Sequence, residues 1–145
     1  MKLLNKFCKL KKVDFYFLFV TFSLLGAIRL GLWLLEFRIL LKILNKISKI
    51  KFPLVNTTVG KIIWGVNVAT CYMPGGAKCL ARALTTQVLM NCYGYSPQLY
   101  IGVAKGKLGE LEAHAWIKYQ ENVVIGYLPD LSRYIQLPSL EGIKL

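Results

Sequence analysis

Polar and apolar positions along this 145-residue chain change period several times, and each change marks an element. From Phe15 to Ile28 the sequence FYFLFVTFSLLGAI carries no charge, and the apolar run continues past Arg29 as far as Glu36. A membrane-spanning helix needs about 20 apolar residues with few charges; this run reaches that length only with Arg29 inside it. The next stretch, RILLKILNKISKIK, has the period of an amphipathic helix. Leu40, Ile43, Leu44, Ile47 and Ile50 share one face, and Lys42, Lys46 and Lys49 lie off it. Both segments are expected to be helices that cover a core or lie on a membrane surface.

KFPLVNTTVGKI interrupts the pattern. Pro53 and Gly60 punctuate it, and the Asn-Thr-Thr cluster suits a turn or a helix start. A helix is predicted over TTVGKIIWGVNVATCYM, with Ile62, Ile63, Val66 and Ala69 inward. PGGAK then makes a sharp loop. A further helix is predicted from residue 79 to about 92, with Leu80, Leu84, Val88 and the Ala83 and Gln87 positions forming a stripe. QLYIGVAK alternates as a strand, with Leu99, Ile101 and Val103 on one side. GKLGE reads as a hairpin connection, LEAHAWIKYQ and NVVIGY as two more strands, with a tight turn near Gln120 to Asn122. Helices first and an antiparallel meander afterwards predict an α+β fold. The division expected is a basic, apolar helical region over 1–51 and a second domain over 52–145.

Charge sharpens that division. The chain is 55% hydrophobic, too apolar for disorder, and its net charge is +12. Residues 1–51 hold eleven Lys/Arg against two acids, and residues 52–145 hold eight against five. The basic residues flank apolar runs instead of alternating with stacking aromatics. Lipid headgroups or an acidic peptide are therefore expected as partners, and nucleic acid is not. No small-residue cleavage site follows the apolar run, so it does not read as a signal peptide. Cys8, Cys71, Cys79 and Cys92 form no CxxC pair, and one histidine cannot complete a Cys/His zinc set, so neither a metal nor a cofactor is expected. The spacing is not that of a secreted disulfide framework, which points to a reducing cytosol, with membrane association as the addition the apolar run invites.

Candidate chemistry rests on two residues. Cys79 follows Pro74, Gly75 and Gly76 and opens a predicted helix. Free N–H groups and the positive end of the helix dipole stabilise a thiolate there, and the same N–H groups can hold an oxyanion. His114, the sole histidine, lies in a predicted strand with Trp116 on its own face and Ala113, Ala115 and Ile117 on the other. A Cys-His pair would use the imidazole first to take the thiol proton and then to protonate the leaving amine, with a third polar group fixing its tautomer. The plainer alternative is a small core thiol and an unrelated imidazole. Arg82 shares the Cys79 face by i,i+3 spacing and is expected to pair with Glu110 or Glu112 or to touch substrate. Trp116 is expected to wall the cleft or contact substrate.

The two motifs together, CLARALTTQVLMNCYGYSPQLYIGVAK and LEAHAWIKYQENVVIG, resemble the leader peptidases of lasso-peptide biosynthesis, whose protease component has a transglutaminase-like, papain-related fold. The resemblance rests on Cys79, Leu80, Arg82 and Leu84, on Gly94, Leu99, Ile101, Gly102 and Val103, and on His114, Ala115, Trp116, Val123, Val124 and Gly126. It covers residues 74–126 in detail. It implies a cysteine protease that cuts a ribosomally made precursor peptide between leader and core, with Cys79 as nucleophile and His114 as base. It implies as partners a leader-binding recognition protein that delivers the precursor and a lasso cyclase that takes the freed core. Some members carry an aspartate just after the Val-Val pair; here Gly126 stands there. The nearest downstream acid, Asp130, is the expected third member; a backbone carbonyl or Asn122 is the alternative. Two other functions remain open: a catalytically silent, membrane-associated module that binds precursor, and acyl transfer to an amine.

Overall fold

The computed structural model describes residues 12–51, 57–74, 79–129 and 131–136. Four helices precede the sheet: α1 (Lys12–Leu34), α2 (Phe37–Ser48), α3 (Val59–Tyr72) and α4 (Cys79–Cys92). The strands are β1 (Gln98–Lys105), β2 (Leu111–Tyr119) and β3 (Asn122–Ile125); a 3-10 turn, Leu131–Arg133, leads into the short β4 (Ile135–Gln136). All neighbours in the sheet are antiparallel and its order is β3-β2-β1-β4. The expected α+β arrangement is thus present, with one strand, β4, beyond the meander read from the sequence.

Local chemistry accounts for the boundaries. The Thr58 side chain caps α3 by accepting from the Lys61 N–H at 3.2 Å. β2 and β3 are joined through Gln120 and Glu121, both with positive φ (50° and 65°), the backbone twist a two-residue hairpin needs. Gly109, at φ +82°, shapes the longer β1–β2 connection, where the Gly106 N–H donates to the Glu110 carbonyl at 2.7 Å.

One core joins both stretches of the chain. Phe17, Leu25 and Ile28 of α1 and Leu40 and Leu44 of α2 pack in the same cluster as Ile62 and Val66 of α3, Leu84 and Val88 of α4, and Leu99, Ala115, Ile117 and Ile125 of the sheet. α4 is the central element. Every residue from Ala83 to Met90 is buried, Thr85, Thr86 and Gln87 included, so its apolar stripe widens to nearly the whole circumference. Thr85 and Thr86 make this possible by returning their hydroxyls to the carbonyls of Ala81 and Arg82 at 2.7 and 2.8 Å. In α2 the expected face divides: Leu40 and Leu44 are buried, but Ile43 is exposed, and so is Ile50, which lies just past the end of the helix. In β1 the alternation is softened because Gly102 and Ala104 are covered as well as Leu99.

Arg29, the charge that interrupts the apolar run, donates its guanidinium to the Pro74 carbonyl at the end of α3. Phe15–Leu34 is long and apolar enough to cross a bilayer by length and composition, and one third of that window is buried against the protein.

Candidate active site

Cys79 is the first residue of α4, as its sequence setting predicts, and is half-buried against the core. The first turn of a helix leaves backbone N–H groups without intrahelical partners, so the thiol stands beside donors able to hold an oxyanion. Cys71 is exposed. Cys92 is buried at the far end of the helix; its Sγ lies 3.4 Å from the Ile47 carbonyl, and burial pushes its thiol up from the ordinary value of 9.0, against the opposing pull of Lys51. Cys92 is therefore a core thiol. Cys8 lies outside the described residues.

His114 sits in the middle of β2, paired with Gly102 of β1. Its Nε2 lies 2.7 Å from the carbonyl oxygen of Gly126. A carbonyl only accepts, so Nε2 carries the proton and donates, and in the neutral ring Nδ1 keeps its lone pair. This is the tautomer a base working through Nδ1 requires. Of the two alternatives to an acidic third member, the backbone carbonyl is the group the ring touches; the Asn122 amide donates to the Gln120 carbonyl at 3.3 Å instead. Asp130 lies outside the described residues.

Gly126 can approach so closely because it has no side chain. Its φ is +84°, and a Cβ would stand 2.6 Å from the Ala115 oxygen and 3.0 Å from Trp116 Cα. The chain bends sharply here after β3 and returns by way of the 3-10 turn to β4, on the other edge of the sheet.

Aromatic rings surround the imidazole. Trp116 stacks beside His114 at 6.2 Å between centroids and 19° between planes, Tyr100 stacks on Trp116 at 5.9 Å, and Tyr134 lies 5.7 Å from His114. Trp116 is buried, in keeping with a wall residue. Glu112 binds Arg133 at 2.8 Å, with the Tyr134 hydroxyl 3.4 Å away. The expected pairing of Arg82 with Glu110 or Glu112 does not form: Arg82 donates to the Asn67 side chain of α3, and the Glu112 carboxylate is engaged by Arg133. Arg82 faces a helix neighbour because α4 packs against α3.

Strand alternation decides how the two candidates relate. Ala115 and Ile117 point into the core with α4, so His114 and Trp116 point to the opposite face, where Tyr100 and Tyr134 meet them. Cys79 belongs to the helix side. The elements α4 and β2 are in contact, but no hydrogen bond joins the thiol to the imidazole among the described residues. Nor do the described residues hold a cluster of three or more His, Cys, Asp or Glu placed for a metal.

Neither a curated protein nor a solved structure matches this chain. A family model does: the transglutaminase-like superfamily, over residues 22–139, from within α1 to beyond β4. That superfamily includes cysteine proteases and acyltransferases. With a helix-opening cysteine, a strand histidine and a match across most of its length, the chain belongs to the transglutaminase-like superfamily.

Proposed function

We propose that this protein is a cysteine peptidase that removes the leader from a ribosomally synthesised lasso-peptide precursor, with Cys79 as nucleophile and His114 as base. The observation that carries the reading is the 2.7 Å bond from His114 Nε2 to the Gly126 carbonyl. It supplies the orienting third group at the position where an aspartate was expected, and it leaves Nδ1 as the basic nitrogen.

The chemistry follows from these groups. His114 takes the Cys79 proton, and the thiolate attacks the carbonyl carbon of the scissile amide. The oxyanion is held by free N–H groups at the start of α4. The C–N bond breaks, the core's amine leaves with the proton from His114, and the leader remains on Cys79 as a thioester. Water, deprotonated by the same imidazole, then releases the leader as a carboxylate and restores the thiol. An amine in place of water would give acyl transfer from the same thioester. Arg82 and Trp116 serve at the margin of this site, Arg82 by holding α4 to α3 and Trp116 by walling the imidazole. A leader-binding protein delivers the precursor and a cyclase receives the core.

This reading requires His114 Nδ1 and Cys79 Sγ to meet when substrate is bound; because they lie on opposite faces of β2, that takes a rearrangement of the strand or of the start of α4, beyond a change of rotamer. The opposite faces of β2 favour a second reading: a catalytically silent module that presents precursor to other maturation proteins. Mass spectrometry of the precursor, incubated with this protein and the leader-binding partner, separates the two. The peptidase gives one cut at the leader–core junction, lost in Cys79→Ala and in His114→Ala. Binding without cleavage by the wild type supports the silent module.

A further inference from the structure

We propose that α1 and α2 dock this protein in the plane of an anionic lipid bilayer. Among the described residues, the outer side of α1 carries seven of the large apolar side chains left exposed. Phe15 is 47% exposed, Tyr16 71%, Phe19 70%, Leu30 55%, Trp33 82% and Leu34 65%. At 100° per residue they fall, with Phe22, Ser23, Gly26 and Ala27, in one arc of roughly 140° that contains no charge from Phe15 to Leu34; Lys12, at the start of the helix, lies on the same side. Monomeric soluble proteins rarely leave so long an apolar strip in water.

The other side of the same helix is committed to the protein. Phe17, Thr21, Leu25 and Ile28 are buried, and Arg29 is turned onto the Pro74 carbonyl. A helix that crosses a bilayer between lipid chains cannot also carry α3 and α4 on its flank, because those elements end in polar loops and a hydrogen-bonded sheet edge. Lying in the plane satisfies both faces: core on one side, acyl chains on the other. Tyr16 and Trp33, near the two ends of the strip, are residue types suited to the boundary between headgroups and acyl chains.

Charge selects the lipid. On α2, Arg38, Lys42 and Lys46, with Lys49 at its C-terminal cap, are exposed beside the exposed Ile39 and Ile43. The sequence ahead of α1 adds Lys2, Lys6, Lys9 and Lys11, and the only acids among the first 51 residues are Asp14 and Glu36. Anionic headgroups complement this distribution. A second copy docked face to face would instead bring two strongly basic regions together.

The test uses the full-length protein and vesicles of phosphatidylcholine and phosphatidylglycerol in a two-to-one ratio, beside phosphatidylcholine alone. The protein is expected to float with the anionic vesicles only, and its tryptophan emission to shift to the blue. Trp33→Phe removes most of the shift, since of the other two tryptophans Trp116 is buried and Trp64 is half-buried in α3. Phe19→Glu with Trp33→Glu abolishes flotation while the far-ultraviolet circular dichroism and the thermal melt stay those of the wild type, both side chains being exposed. Replacing Lys42, Lys46 and Lys49 by Gln weakens partitioning about fivefold per lysine. The proposal is overturned by a wild type that stays in solution with anionic vesicles, whether as a monomer or as a dimer that Phe19→Glu dissociates. It is equally overturned by flotation unaffected by the double Glu variant, or by bound protein that resists alkaline carbonate extraction as a spanning helix does.

Discussion

Gly126 is the residue on which the site turns. It occupies the place where the resemblance leads one to expect an aspartate, and its positive φ and close approach to Ala115 and Trp116 leave no room for a carboxylate in this backbone. Its carbonyl takes over the contact to His114. Gly126→Ala is expected to destabilise the fold by about 1–3 kcal/mol, the range for strained backbone, and to lower kcat more than it raises KM, because the carbonyl that holds the His114 ring moves. Cleavage kinetics beside a thermal melt check both parts. Because His114 is the only histidine, a nitrogen-15 spectrum of the imidazole reads this one ring. The Nε2–H tautomer is expected; an Nδ1–H tautomer contradicts the assigned bond. Cys79 could be picked out in the sequence because a helix start leaves a trace in the glycines and proline before it. The Gly126 carbonyl could not, since every residue has one and only a fold brings it to a ring. Arg82 misled for the same reason: its partner Asn67 belongs to another helix, beyond the reach of an i,i+3 or i,i+4 argument. Cys92 gives a separate check. Burial raises its folded-state value, so the native protein holds this proton longer than the unfolded chain. The associated stability is complete below the ordinary thiol value and is lost as pH rises through the folded one. Denaturant melts across alkaline pH should show a steeper loss in the wild type than in Cys92→Ala; equal slopes would refute it.

At the level of elements, long periodic segments were legible. α4 begins at Cys79 and ends at Cys92, as the apolar spacing between the PGGAK and YGYSP breaks indicates. β2 and β3 follow from alternation and their tight turn. β4 was not legible, because two residues carry no period and their pairing with Gly102 and Val103 depends on the chain crossing the sheet. Nor does the α2 pattern reveal that Leu40 and Leu44 enter the core while Ile43 stays outside. The contact of α1 with α3 yields a further prediction. Gly65 lies under the Phe17 ring, and a Cβ there would collide with it. Gly65→Ala should therefore destabilise the protein by about 1–3 kcal/mol despite the better helix propensity of alanine. Pairing it with Phe17→Leu should recover part of the loss; a neutral Gly65→Ala in urea melts would contradict the close approach of the two helices.

At the scale of the whole molecule, the family match and the core tell one story. The match begins inside α1, and the cluster around α4 draws side chains from every helix and from three strands. The helices read as a cover from their apolar faces are part of what holds α4, and so Cys79, in place. Leu84, with no exposed surface and at the middle of that helix, is the most economical probe: Leu84→Ala should cost about 2–5 kcal/mol and lower cleavage only in proportion to the folded fraction. The sequence could not show how the two faces of β2 are allotted, because alternation separates the faces without saying which one the helices take. That allotment sets the thiol and the imidazole on different sides of β2, and it makes formation of the thioester the decisive event. Intact-mass spectrometry of the protein, acid-quenched during reaction with precursor and leader-binding partner, measures this directly. The account predicts an adduct with the mass of the leader acyl group on the peptide containing Cys79, absent in Cys79→Ala. Precursor that binds and stays whole, with Cys79 unmodified at every time point, would contradict it.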